Sequence, residues 1–401
     1  MQSGGASERC RAVKHVEEYR DGRLARALAM QIFREAATGT AEYRFMEFCG
    51  GHTHAISRYG LEDLLPGHVR LIHGPGCPVC VLPVPRIDSA IRLAARPGVT
   101  LCTYGDPMRV PGSKGVSLLR AKAAGADVRM IYSAADAVAI ARREPHREVV
   151  FFAIGFETTT PPTALAILLA RRLALRNFSV FCNHVLTPAA IQNILESPDV
   201  RELGQVRLDG FIGPAHVSTI IGSSPYGFFA EEFAKPVVIA GFEPLDVMHA
   251  VLMLIRQVNE GRHEVENQYG RAVRPEGNEP AKRDVAEVFE LRKRFEWRGL
   301  GLVPYSALRI KGRYGEFDAE RRFELEDQPA RDVPGCQCGA VLRGVKVPVD
   351  CRLFGTVCTP ETPMGSCMVS SEGACAAHWT YKRFRDSARG SMVHAATGAA
   401  G

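Results

Sequence analysis

Eight short apolar runs, each closing in a polar or glycine-rich turn and then a helix-like pattern, constrain this 401-residue chain more than any other feature. They are Tyr43–Phe48, Val69–His73, Val99–Thr103, Val128–Tyr132, Val149–Phe156, Phe178–Cys182, Gly210–Gly213 and Pro236–Gly241. Strands alternating with helices of about a dozen residues make βαβ units, because parallel neighbours need a long crossover. The fold class is therefore α/β with parallel sheets. Two Rossmann-like domains accommodate eight strands better than one sheet does. The charged stretch Ala141–Glu148 is the natural place to divide them. The expected organisation is a helical segment over 1–42 and an α/β domain over 43–145 that carries Cys49 and Cys77/Cys80. A second α/β domain follows over 146–260, then a cysteine-rich domain over 261–385 and a tail over 386–401. Leu24, Ala27, Leu28, Ile32 and Phe33 recur at helical spacing near the start, and a further helix is expected from Ala281 to Phe295.

Composition narrows the function. With 46% hydrophobic and 23% charged residues the chain is ordinary globular material. A net charge of +6 without a long basic run gives no nucleic-acid footprint. No apolar stretch reaches the ~18 residues of a membrane span, and the first twenty residues are too charged for a signal peptide. A soluble, cytoplasmic protein is expected. The twelve cysteines are unevenly spread, with six of them between Cys336 and Cys375. In a reducing compartment such a cluster points to metal binding or redox work rather than to disulfide staples.

Chemistry gathers where the strands end, which is where open parallel sheets bind ligands. Phe48 runs into Cys49-Gly50-Gly51-His52-Thr53-His54, and His73 into Gly74-Pro75-Gly76-Cys77-Pro78-Val79-Cys80. Thr103 leads to Asp106, and later strands to Glu157, Asn183-His184, His216 and Glu243. Cys77 and Cys80 form a C-x-x-C pair able to close a disulfide, exchange with a dithiol or ligate a metal. With Cys49 they make a three-sulfur corner suited to a soft metal. Cys102, Cys182 and Cys10 read as inert, and His184 and His216 as structural more readily than as ligands.

Cys336, Cys351, Cys358 and Cys375 are dispersed in Gly/Pro-rich loop, which suits a [4Fe-4S] cluster because loops deliver sulfur from several directions. Four-thiolate zinc is the alternative, though zinc favours paired C-x-x-C knuckles. Cys338 and Cys367 are left as a second exchangeable pair, and Cys336 against Cys338 as cluster ligand stays open.

The strings FCGGHTHAI, HGPGCPVC, TYGDPMRVPGS, GFETTTPPTA, CNH, GPAHVSTIIG, AGFEPLD and the cysteine-rich ending together resemble the HypD family of [NiFe]-hydrogenase maturation factors, from about Tyr43 to Ala377. The resemblance implies a redox-active assembly scaffold rather than a conventional turnover enzyme. On it an Fe(II) carrying CN and CO ligands is assembled, with a HypC-type small chaperone and a HypE-type cyanide donor as partners. It implies that Cys49 shares the iron with the chaperone, and that Cys77 and Cys80 are a redox or iron-binding pair beside it. The cluster ligands fall on Cys336, Cys351, Cys358 and Cys375, and His52, Asp106 and Glu372 on further site positions. His52 or His54 is expected to hydrogen-bond the sulfur or a diatomic ligand. Gly50 and Gly51 are expected to admit a partner's backbone. The competing readings are a stand-alone iron–sulfur thiol–disulfide oxidoreductase, and a passive scaffold with structural zinc. No G-x-x-x-x-G-K-[ST] loop suggests nucleotide use.

Overall fold

The computed structural model describes residues 17–39, 42–196, 207–326, 329–330 and 332–383. Cys10, most of the expected N-terminal segment before the first helix, and the expected tail over 386–401 lie outside them. All eight expected strands form: β1 (Tyr43–Glu47), β2 (Val69–His73), β3 (Val99–Thr103), β4 (Asp127–Met130), β5 (Glu148–Gly155), β6 (Phe178–His184), β7 (Gly210–Pro214) and β8 (Val237–Ala240). Every pairing among them is parallel. A ninth, β9 (Val265–Asn267), adds to the edge beside β8.

The strands are divided between two sheets differently from the expected split at 145. One sheet has the order β2-β1-β7-β8-β9, and the other β4-β3-β5-β6. The chain starts the first sheet, leaves to build the whole of the second, and returns at β7, where Phe45 pairs with Gly210. Both sheets carry helices. The helix Gly22–Ala36 buries Ala29, Ile32 and Ala36 against Pro244–Asn259, and leaves Leu24 and Phe33 about half exposed. Asp21 caps it by accepting from the N–H groups of Arg23 and Leu24.

The helix expected over Ala281–Phe295 runs only from Glu279 to Val288. Phe289 and Leu291 leave it to form β10 (Phe289–Leu291), pairing antiparallel with Ile310 and Leu308 of β13 (Leu308–Ile310). Burial of Phe289 between strands outweighs its modest helix propensity. Between them, β11 (Arg294–Trp297) and β12 (Gly301–Pro304) form a hairpin. Trp297 is fully buried there, donates its indole N–H to Ser306 Oγ at 2.8 Å and stacks on Phe156 beyond the end of β5. No helix among the described residues is long and apolar enough to cross a membrane.

The cysteine-rich segment lies directly on the first sheet. Its last helix, Ala374–Tyr381, packs on the helix Gly50–Tyr59, and Lys382 pairs with Glu62.

Candidate functional site

Cys49 leaves β1 in extended conformation and serves as N-cap of the helix Gly50–Tyr59. Because β1 and β2 are neighbours, the loop after β2 falls against it: Gly50 N–H donates to Gly76 O at 2.9 Å. A Cβ on Gly76 would collide with the Cys49 backbone, so only glycine permits this approach. Cys77 and Cys80 follow at once, disulfide-bonded with 5.2 Å between Cα atoms; Cys77 caps the short helix Pro78–Val81 and Cys80 lies within it. The backbone contact thus sets the C-x-x-C turn beside the segment that carries Cys49.

The Cys49 thiol is 6% exposed. Burial, reinforced by the nearby Glu372 carboxylate, pushes it well above the usual thiol range. Backbone N–H groups of Gly51 and His216, at the start of two different helices, act the other way by favouring the thiolate. Such a sulfur stays protonated until a cation takes the proton's place. Glu372 is itself raised to about 7, by burial and then by Asp106 and Glu47. Cys49, Asp106 and Glu372 thus converge, although they come from three distant segments.

His52 does not aim at the sulfur as expected. Its Nε2 lies 3.0 Å from the carbonyl oxygens of both Ala240 and Gly241, so Nε2–H donates and ties the helix to the end of β8. Nδ1 is left as a buried acceptor with no partner. His54 instead meets Tyr381, edge to face, with Nε2 3.4 Å from its hydroxyl. The bare faces of Gly50 and Gly51 are not open to a partner either; Glu372 covers the first and Phe242 the second. His184 has a structural place, with Nε2 2.9 Å from Thr163 Oγ1 and burial lowering it to about 4. Cys102 and Cys182 are buried in the second sheet.

Glu47 was not singled out by sequence reasoning. Fully buried, its carboxylate accepts from Cys49 N–H at 3.0 Å, from His73 Nδ1–H at 2.8 Å and from the Thr53 hydroxyl. It fixes the turn that presents Cys49. A carboxylate inside the run Tyr43–Phe48 was the available signal, since acidic residues are rarely fully buried without partners. Replacing Glu47 by Ala orphans three donors at once and should cost about 3 kcal/mol. The urea midpoint should fall at unchanged slope; a loss below about 0.5 kcal/mol would contradict this role.

The C-terminal cysteines approach one another and the disulfide. Cys336 Sγ and Cys338 Sγ are 3.3 Å apart, and Cys338 lowers Cys336 to about 7. Cys338 and Cys367 lie near enough to Cys336 and Cys375 to perturb them, which places them beside the expected cluster residues. Among the described residues no three His, Cys, Asp or Glu side chains stand ready as a metal-ligand set. Ser366, next to Cys367, touches the C-x-x-C turn: its Oγ donates to Cys80 O at 3.0 Å, and Cys80 Sγ lies 3.8 Å from its carbonyl oxygen.

Residues 23–382 match a family model described as HypD, hydrogenase formation hypA family. The chain belongs to the HypD family. It is 70% identical to the hydrogenase maturation factor HypD of Rhizobium leguminosarum bv. viciae, over 94% of this chain and 98% of that protein. With the factor of the same name from Escherichia coli K12 it shares 46% identity over 92% of this chain and 99% of the relative. A Rhodobacter capsulatus HypD is 53% identical over 92% and 98%. For a HypD-family chain the row of Cys49, the C-x-x-C turn and the C-terminal cysteines is the feature that needs a function.

Proposed function

We propose that this chain is a maturation factor for [NiFe]-hydrogenase, a scaffold on which an iron carrying cyanide and carbonyl ligands is assembled. The observation that carries the reading is the sulfur row itself. Cys49, the Cys77–Cys80 disulfide, Ser366 and Cys367 follow one another through direct contacts. Iron(II) bound to such ligands favours soft donors, and Cys49 with the neighbouring pair supplies them. One sulfur satisfies few of its coordination positions, so the remaining donors come from a small HypC-type chaperone. The cyanide arrives from a HypE-type donor. Glu372, raised to about 7, can hold a proton beside Cys49 at neutral pH and release it as charge changes there.

The free thiols of Cys336, Cys338, Cys351, Cys358, Cys367 and Cys375 fit a [4Fe-4S] cluster in donor chemistry; Cys336, Cys351 and Cys358 lie in loop, whereas Cys338 and Cys375 open the helices Cys338–Leu342 and Ala374–Tyr381. Cys336, Cys351, Cys358 and Cys375 are the residues we assign to hold it. A bound cluster supplies single electrons. The protein's part is to keep the nest dry and to seat Ser366 against Cys80, so that the disulfide lies within reach. Reduction of that disulfide takes two electrons and two protons and leaves two thiols.

Anaerobic co-purification with the chaperone tests the reading. Bound iron together with cyanide and carbonyl infrared bands is the expected outcome. A cluster without those bands would favour a plain thiol–disulfide reductase, and zinc alone a passive scaffold.

A further inference from the structure

Arg298 is a buried charge that the reading above leaves without a role. It directly follows β11 and is 4% exposed. Its backbone N–H donates at 2.8 Å to the carbonyl of Val81, the residue after Cys80. Nη1 donates to Ser366 Oγ at 2.6 Å, and that hydroxyl in turn donates to Cys80 O at 3.0 Å. Nε lies 3.3 Å from Asp332 Oδ1. Among the described residues neither Nε nor Nη2, both buried, has a hydrogen-bond partner. Gly299, the next residue, packs against Gly339 at the start of the helix Cys338–Leu342. One residue thus touches the disulfide turn through its backbone, and the loop before Cys367 and the approach to Cys336 through its side chain.

Burying a guanidinium with an open donor is costly unless negative charge faces it. Asp332 supplies one such charge from a position 37% exposed; cysteine thiolates holding a metal centre in the nest would supply the others. We propose that Arg298 is a positioning residue that raises the reduction potential of a thiolate-held iron–sulfur centre at this nest and seats that centre against the Cys77–Cys80 disulfide through Ser366. The inference rests on the cluster reading of the nest. An electron added to the centre adds negative charge, and a fixed cation in a low-dielectric interior stabilises the reduced form. A bound centre would supply single electrons, and opening the disulfide beside Ser366 would consume two of them together with two protons.

The test uses the full chain, reconstituted anaerobically with Fe(II) and sulfide and titrated with dithionite in the presence of mediators. At the potential where the wild type is half reduced, Arg298→Met should show a reduced-to-oxidised ratio at least tenfold lower. For one electron this is a shift of 59 mV. Arg298→Gln, which keeps a donor for Ser366, should fall equally, whereas Arg298→Lys should stay within threefold of the wild type. Full iron content with unmoved ratios in Met and Gln overturns the inference alone. Loss of the cluster from Met, Gln and Lys alike also overturns it, because the side chain is then a structural pin. A wild type that holds no cluster overturns the cluster reading and this inference together.

Discussion

Cys49→Ala, purified anaerobically with its chaperone, should keep the complex and the iron at the C-terminal nest while its cyanide and carbonyl infrared bands vanish. The expected loss is complete because Cys49 is the sulfur at the end of β1 that both helix starts and the Gly76 approach are arranged around. The substitution removes little volume, and the Glu47 carboxylate still accepts from the backbone N–H of residue 49, so the fold should hold. Bands of wild-type intensity would refute the assignment and move the iron to Cys77 and Cys80.

The second large effect belongs to the nest. Replacing Cys336, Cys351, Cys358 and Cys375 together by Ala should abolish cluster iron and its visible absorption. In the same variant a one-electron donor should no longer open the Cys77–Cys80 disulfide, so thiol counts before and after reduction should differ by two fewer than in the wild type. A full complement of cluster iron in the quadruple variant would sink the ligand assignment. Single variants at Cys338 and Cys367 then decide whether the close contact of Cys338 with Cys336 makes it a ligand or a neighbour.

The strands were legible because buried parallel strands are short, nearly continuous apolar runs bounded by turn residues. Their partition was not. Nothing local in Phe45 says that it pairs with Gly210 rather than with a strand of the next hundred residues. The charged stretch Ala141–Glu148, which suggested a boundary, is the link between β4 and β5 within one sheet, and Glu148 there begins β5. Short strands such as β10 escaped because three residues carry no periodicity, and Phe289 followed a sound helical pattern. The cysteines of the site were legible from residue type alone. Glu47 and Arg298 were not, since a carboxylate in a strand and an arginine in a hairpin turn resemble solvated residues until burial is known. His52 misled for the opposite reason: its place beside Cys49 in sequence says nothing about where its ring turns.

The interleaved sheets also govern when the site can exist. The strands β3 to β6 form one continuous stretch that can pair before the rest of the chain is made, with Phe289, Leu308 and Ile310 added to its core later. The edge bearing Cys49 cannot, because β1 lacks its β7 neighbour until the chain has grown past Pro214, and the covering residue Glu372 emerges later still. Pairings across such separations are slow to form. During synthesis, then, the sulfurs at the ends of β1 and β2 wait without their pocket. The assembled corner around Cys49 therefore exists only on a chain grown past Glu372, and a product cut short before it carries Cys49, Cys77 and Cys80 without their cover.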